Sequence, residues 1–109
     1  MTLNQKKASL HRILITVLSI DQYDQENINL VKNESELYGK ILKSLHSKHA
    51  NVFANLLKIY TKDLKYLRMS LLKTEDQVMN KNNFFLYKTS VIEAVETTIT
   101  YIDEYILVL

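Results

Sequence analysis

The prediction of the fold starts from residues Ala50 to Lys73, ANVFANLLKIYTKDLKYLRMSLLK. Placed on a helix, its apolar residues recur every three or four positions and share one side, while its basic residues follow one another on another side. This pattern is typical of an amphipathic helix that buries one face and keeps a cationic edge in water. The apolar stripe is Phe53, Leu56, Leu57, Tyr60, Leu64, Leu67 and Leu71, and the basic edge is Lys58, Lys62, Lys65 and Arg68.

The composition of the chain also favours a helical fold. Its 109 residues include no proline and one glycine, Gly39, so strong helix breakers are nearly absent. A hydrophobic share of 47% and a net charge of +2 are typical of a folded protein rather than a disordered one. The length suits one hydrophobic core, so residues 1–109 are expected to form a single domain. Cysteine is absent, which excludes disulfides and thiolate metal ligands and fits a reducing compartment.

Periodic apolar residues predict further helices on both sides of the opening stretch. The β-branched residues of the last segment, such as Thr97 and Ile99, would also suit a strand, but a lone strand would have no partner, so a helix is predicted. Because short turns join the segments, the expected fold is an all-α, antiparallel up-and-down bundle of four helices. The predicted helices cover about residues 4–20, 25–46, 50–73 and 83–109, with one extra helical turn at 75–80.

Each flanking helix carries its own predicted apolar stripe at helical spacing. Lys6, Lys7 and Arg12 are expected to lie off the stripe of the first helix. Gly39 lies inside the second helix, where it costs about 1 kcal/mol relative to alanine, and close approach of a neighbouring backbone or a slight kink would explain it. The stripes are Leu10, Ile13, Leu14, Val17 and Leu18 in the first helix; Ile28, Val31, Leu37, Tyr38, Ile41, Leu42 and Leu45 in the second; and Phe84, Tyr87, Val91, Val95, Ile102, Ile106 and Leu109 in the last.

Polar side chains at the predicted boundaries indicate where the helices begin. An N-cap side chain accepts a hydrogen bond from a free backbone N–H group at the start of a helix. Asparagines at 80, 82 and 83 predict a turn before the last helix, because asparagine tolerates the left-handed conformation. The predicted caps are Asp21 or Asp24 for the second helix, Ser47 or Asn51 for the third, and a Thr74–Gln77 capping box for the extra turn.

The sequence contains no established catalytic or cofactor motif. A single glycine excludes phosphate-binding loops and the Gly-x-Ser-x-Gly elbow. His46 and His49 have helical spacing but lack a third metal ligand beside them, and zinc sites need at least three. Glu93 and Glu96 indicate a solvated helix face, because the chain has no Glu-x-x-His motif of the di-iron bundles. A non-enzymatic protein without metal or cofactor is therefore expected.

The sequence also predicts no membrane segment. The residues from Ile13 to Ile20 follow several cations and superficially resemble a signal peptide, but the apolar run is short and no convincing cleavage site comes after it. The longest apolar runs fall far short of the roughly 20 residues that a membrane span needs. A cytoplasmic location is therefore expected.

Charge is distributed unevenly along the chain. Residues 1–20 carry +3, residues 21–39 carry −4, residues 40–73 carry +7 and residues 74–109 carry −4, which together give +2. The basic edge, with Lys40, Lys43 and Lys48 as further candidates, could be a solvated face neutralised by neighbouring acids. It could also bind nucleic acid by releasing counterions, or an acidic protein surface by electrostatic steering. Because arginine is scarce and the sequence has no helix-turn-helix pattern, a protein partner is favoured and nucleic acid is the alternative.

Two further features bear on partners. Tyr66 and Tyr101 lie off the apolar stripes, and exposed tyrosines are enriched at binding hot spots. The chain ends on four apolar residues, 106–109, which are expected to be buried with some contribution to a homodimer.

In size, charge balance and expected bundle, the chain resembles the small immunity proteins that protect bacteria from their own bacteriocins, and equally many phage-encoded regulators. This resemblance of shape implies a protein-binding role and assigns no role to any residue. The expected function is that of an inhibitor, immunity factor or regulator. Its expected partner-binding residues are Lys58, Lys62, Lys65, Tyr66 and Arg68.

Overall fold

The apolar stripes of the sequence form the core of a four-helix bundle. The computed structural model describes residues 1–71 and 75–107, and within these ranges it contains no strand. Two of the helices include a π-helical segment, in the middle of the third helix and at the C-terminal end of the fourth. The helices are α1, Leu3–Leu18; α2, Gln25–Lys48; α3, composed of Ala50–Lys58, a π-helical turn at Ile59–Leu64 and Lys65–Met69; and α4, Gln77–Tyr101 with a π-helical end at Ile102–Ile106. The predicted all-α, antiparallel up-and-down bundle is confirmed.

Two helices form the centre of the bundle and two flank them. Helices α2 and α4 contact each other, and α1 and α3 each pack against both. The buried positions of α2 and α4 follow a heptad-like alternation of three and four residues, which is the pattern of helices packed at a shallow angle. These positions are 28, 31, 35, 38, 42 and 45 in α2 and 80, 84, 87, 91, 94 and 98 in α4. The bundle is elongated, with dimensions of 50 × 24 × 19 Å.

The heptad pattern explains where the predicted stripes were wrong. Leu18 and Leu37 were expected in the core but are 52% and 39% exposed. In α1 the buried positions include Leu10, Ile13 and Val17, so Leu18 falls on the outer side of the last turn. Lys6 was expected off the stripe, yet it occupies the preceding heptad position and is buried. The other stripe residues that the structure describes are buried or half-buried.

Capping side chains mark the N-terminal ends of the two central helices, α2 and α4. Asp24 accepts a hydrogen bond from the backbone N–H of Asn27 at 2.8 Å, which confirms one of the two caps predicted for α2. Asp76 accepts bonds from the N–H groups of Val78 and Met79 at 3.0 and 3.2 Å, so α4 begins at Gln77. The predicted capping box for this region includes Thr74, which lies outside the described residues.

The boundary predicted before the last helix was wrong. The asparagines at 80, 82 and 83 lie inside α4, and the extra turn expected at 75–80 is part of its first turns. Asn80 is buried, so packing against the core stabilises the helix where propensity alone favours a turn.

The third helix starts without a capping side chain. Only His49 separates α2 from α3, and it makes no side-chain capping bond. Ser47 and Asn51, the predicted caps, therefore both lie inside helices, and that prediction was wrong. The third helix also ends at Met69, short of the predicted end at Lys73; residues 72–74 lie outside the described part.

The tight reversal at His49 brings Tyr60 of α3 onto α2. Tyr60 and Tyr38 stack with ring centroids 5.8 Å apart. A Cβ atom placed on Gly39 would come within 2.1 Å of the Tyr60 ring. The glycine therefore makes room for an aromatic side chain rather than for the neighbouring backbone that the sequence suggested.

Polar contacts join α2 to α4 and the flanking helices to their neighbours. The Tyr38 hydroxyl hydrogen-bonds the Thr98 hydroxyl at 2.8 Å inside the core, and Thr98 in turn donates to the Ala94 carbonyl at 2.7 Å. At the surface, Lys7 pairs with Asp103 at 2.5 Å. None of the helices in the described ranges combines the length and apolar character needed to cross a membrane.

Candidate partner-binding surface on the third helix

The structure divides the predicted basic edge between two sides of α3. The division falls at the π-helical turn Ile59–Leu64, and each extra residue in a helix rotates the residues after it by about 100°. Lys58 and Lys62 line a cavity of about 580 Å³ between α3 and α4. Lys65 and Arg68 line a second cavity of about 310 Å³, whose walls come from α2, α3 and α4. A regular helix would place these four cations on one edge. In the structure they line two different concave surfaces instead.

Three of the four cations of the basic edge are open to solvent and unpaired. Lys58, Lys62 and Lys65 are exposed, and within residues 1–71 and 75–107 they form no ion pair. Arg68 differs, because its guanidinium pairs with the Glu36 carboxylate of α2. An ion pair with a neighbouring acid thus neutralises Arg68, whereas none of the three lysines forms such a pair within the described ranges.

Tyr66 lies on the solvent side of α3, next in sequence to Lys65. Its side chain is 73% exposed, the highest value among the large apolar and aromatic side chains of the described residues. Tyr101, the second tyrosine considered a contact candidate, is half-buried and packs edge-on against Tyr105. The structure therefore presents Tyr66, and not Tyr101, as a free aromatic side chain beside the lysines.

The larger cavity is a groove with an apolar floor and charged rims. Buried Leu56, Leu64 and Ala94 lie at its base. Lys58 and Lys62 line it from α3, and Glu93 lines it from α4. Glu93 was expected on a solvated face and lines the open groove. Such a groove presents apolar area flanked by charge, the arrangement that helix-in-groove and loop contacts use in protein recognition.

The smaller cavity has a polar interior that the sequence did not reveal. Ser35, Tyr60, Thr61 and Tyr87 contribute hydroxyl-bearing side chains to its wall. The Tyr87 hydroxyl is buried and makes no hydrogen bond of ordinary geometry with any described residue. Ser35 and Tyr87 occupy ordinary heptad positions of α2 and α4, so their spacing gives no hint of a cavity. The unexplained Gly39 beneath Tyr60 was the one available signal.

Burial sets the ionisation of the tyrosines in and beside this cavity. Desolvation raises the pKa of Tyr87, and the nearby Ser35 hydroxyl acts against this shift. Desolvation also raises the pKa of Tyr60, which the positive charge of Arg68 partly offsets. Both hydroxyls are therefore protonated at neutral pH and can donate hydrogen bonds.

The remaining candidate groups lie apart from this surface or outside the described residues. His46 lies in α2 and His49 in the link to α3, and the described part of the chain contains no cluster of three or more potential metal ligands. At the C-terminus Ile106 is half-buried and Leu107 is exposed, while residues 108 and 109 lie outside the described ranges.

The surface of α3 carries an excess of positive charge that is open to solvent. It combines unpaired lysines, an exposed tyrosine and an apolar groove on one helix and its neighbours. No protein-family model, curated protein or solved structure matches the chain.

Proposed function

We propose that this protein is a small non-catalytic binding module, an inhibitor, immunity factor or regulator, that docks an acidic surface of another protein through α3. The proposed contact residues are those expected from the sequence: Lys58, Lys62, Lys65, Tyr66 and Arg68. The observation that carries the proposal is that α3 exposes three unpaired lysines and the side chain of Tyr66.

Charge and apolar area on this surface would have different roles in binding a partner. Unpaired lysines attract an acidic surface over several ångströms and orient it, which raises the rate of association. Tyr66 can bury a ring against the partner and keep a hydrogen bond through its hydroxyl, as hot-spot tyrosines do. The groove beside Lys58 and Lys62 offers room for a partner side chain or helix. The lysine charges would thus guide the partner to this surface, and the Tyr66 ring and the groove would stabilise the complex.

Nucleic acid is the alternative partner for the same surface. Lys43 of α2 approaches Lys65 and Arg68 at the smaller cavity, so the cationic area extends beyond α3. Carboxylates interrupt this area, however, because Asp63 and Glu93 line the groove and Glu36 pairs with Arg68. Carboxylates within a phosphate-binding surface repel the backbone, and this arrangement favours a protein partner.

Charge reversal with a matched control tests the proposal. Lys58→Glu/Lys62→Glu and the control Lys32→Glu/Lys81→Glu change the net charge equally. Lys81 is exposed and Lys32 is half-buried, and neither belongs to the basic edge or its further candidates. Tagged wild-type and variant proteins are used to capture partners from nuclease-treated extracts of the organism that encodes the chain. We expect the α3 variant to lose at least about 90% of the wild-type partner signal, while the control variant retains it.

Circular dichroism checks that both variants keep the helicity of the wild-type protein. Equal capture by wild type and the α3 variant would refute the assigned surface. A separate column experiment addresses the alternative: retention of the wild-type protein on duplex DNA at about 50 mM salt, lost steeply as salt rises, would replace the protein partner by nucleic acid.

A further inference from the structure

The smaller cavity has the features of a ligand-binding site, a role that goes beyond partner docking. Its wall combines side chains from three helices: Ser35 and Lys43 from α2, the π-helical turn and the residues after it from α3, and Tyr87 from α4. A site made from three helices is pre-formed by the packing of the bundle. It therefore exists whether or not a protein partner is bound.

Two unusual features of the fold meet beside this space. The π-helical turn at Ile59–Leu64 contributes Tyr60, Thr61 and Leu64 to the wall, and single π-helical turns are frequent at functional sites. Gly39 lets the Tyr60 ring lie against the backbone of α2, since any side chain there would collide with it. Both features depart from the best local helix choice, and both lie beside the same cavity.

A buried hydroxyl without a partner of ordinary geometry borders this space. Tyr87 is fully buried, and its hydroxyl oxygen makes no such hydrogen bond with the residues that the structure describes. Leaving a buried polar group unsatisfied costs stability, so such groups mark positions where a ligand or water completes the bonding. The Tyr87 hydroxyl is protonated at neutral pH, since the ordinary tyrosine pKa is near 10 and burial raises the pKa of Tyr87 further. It is therefore a donor available for an acceptor inside the cavity.

The charges around the cavity favour an anion. Lys43, Lys65 and Arg68 line it, and the Glu36 carboxylate compensates one of them through its pair with Arg68. Three cations and one carboxylate leave a net charge of +2 at the rim. A phosphate monoester carries about −1.5 to −2 at pH 7, whereas a carboxylate carries −1. The charge balance thus matches a phosphate monoester better than a carboxylate.

The size of the cavity limits the ligand to a small molecule. Its volume of about 310 Å³ lies at the lower end of the range for ligand pockets. Leu64 and the Tyr60 ring supply an apolar part of the wall, which suits an organic group attached to the phosphate. We propose that this cavity binds a small organic phosphate monoester, with Tyr87 donating a hydrogen bond to it and Lys43, Lys65 and Arg68 balancing its charge.

Titration calorimetry of the purified full chain with phenyl phosphate tests the proposal. Phenol and benzoate at the same concentrations serve as the neutral and singly charged comparison. We expect saturable one-to-one binding of phenyl phosphate, at least about tenfold tighter than benzoate, and no binding of phenol. Absence of binding at millimolar phenyl phosphate, or equal affinity for benzoate, would overturn the proposal.

Two matched pairs of lysines separate the cavity from the general positive charge. Lys43→Gln/Lys65→Gln removes two charges at the cavity, and Lys58→Gln/Lys62→Gln removes two from the groove on the other side of α3. We expect the first variant to bind at least about tenfold more weakly and the second to stay within about twofold of wild type. Equal losses in both variants would mean that phosphate responds to net charge alone, and the site would be rejected.

Tyr87→Phe tests the buried donor without leaving a hole in the core. We expect about tenfold weaker binding of phenyl phosphate, because a hydrogen bond to a charged acceptor is lost. The melting temperature of the free variant should not fall, since the removed hydroxyl has no hydrogen-bond partner of ordinary geometry among the described residues. Unchanged affinity would exclude Tyr87 from the site.

A short peptide carrying phosphotyrosine distinguishes the source of the phosphate. Affinity at least about tenfold below that of phenyl phosphate would assign the cavity to a free small molecule, and equal or higher affinity would assign it to a phosphorylated protein segment. Both results support recognition of a phosphate monoester. None of these titrations involves the protein partner, so their failure leaves the proposed docking surface unaffected, and failure of the docking experiment leaves the cavity unaffected.

Discussion

At the scale of single residues, Gly39 and Tyr60 show how packing overrides local preference. Glycine within a helix is unfavourable by about 1 kcal/mol, yet a Cβ atom at this position would collide with the Tyr60 ring. The sequence identified Gly39 as unusual. It could not identify Tyr60 as the cause, because the pairing depends on the reversal of the chain at His49.

Gly39→Ala should therefore destabilise the protein despite the better helix propensity of alanine. Overpacking costs about 1–3 kcal/mol, and the middle of this range, about 2 kcal/mol for a ring already stacked on Tyr38, exceeds the propensity gain of about 1 kcal/mol. We expect the free energy of unfolding in urea to fall by about 1 kcal/mol.

The same substitution in a Tyr60→Ala background should have the opposite sign. Without the ring, the propensity gain remains and Gly39→Ala should add about 0.5–1 kcal/mol relative to Tyr60→Ala alone. A stabilising effect of equal size in both backgrounds would show that the close approach of Tyr60 and Gly39 does not constrain residue 39.

At the scale of helices, the sequence predicted the faces well and the boundaries poorly. The stripe of α3 was recognised because helical spacing repeats over many residues. The start of α4 was missed because Asn80 suits a turn by propensity but is buried in the core. Spacing likewise predicted that Lys58, Lys62 and Lys65 would be exposed, but it assumed a regular helix. The π-helical turn, which lies between Lys58 and Lys65, depends on tertiary packing, so no local sequence pattern predicts it.

Capping substitutions test the observed helix starts. Asp76→Ala removes the side chain that accepts hydrogen bonds from the N–H groups of Val78 and Met79, and should lower the free energy of unfolding by about 1 kcal/mol. Asn51→Ala removes a residue predicted from the sequence as a cap but found inside α3, and should change it by less than about 0.5 kcal/mol. Urea unfolding measures both variants. A larger loss at Asn51 than at Asp76 would contradict the observed boundaries.

At the scale of the whole molecule, buried tyrosines make stability sensitive to alkaline pH. Burial raises the pKa of Tyr38 well above its usual value near 10, and its bond to Thr98 only partly offsets this shift. The unfolded chain therefore loses this proton near pH 10 while the folded protein keeps it. The stabilising contribution is complete below about pH 10 and is lost as pH rises above that value.

Unfolding measurements between about pH 9 and 11 test this linkage. The free energy of unfolding should decrease above about pH 10, and Tyr38 alone should contribute a slope approaching about 1.4 kcal/mol per pH unit. Tyr38→Phe is less stable at neutral pH, because Thr98 loses a buried partner, but its alkaline slope should be shallower by that amount. Identical slopes in the two proteins would show that Tyr38 is not the responsible group.

The bundle also places its two concave surfaces on either side of one helix. Lys58 and Lys62 line the groove towards α4, and Lys65 and Arg68 line the cavity towards α2. Tyr66 lies free in solvent beside Lys65. The proposed docking on α3 therefore requires the partner to contact the face of the folded molecule that exposes Tyr66.

Photo-cross-linking in the native host measures that face most directly. A benzophenone amino acid replaces Tyr66, or Ile15 of α1 as a control of similar exposure, 73% against 68%. We expect a protein adduct from position 66 that Lys58→Glu/Lys62→Glu abolishes, and no such adduct from position 15. An adduct from position 15 with none from position 66 would contradict it.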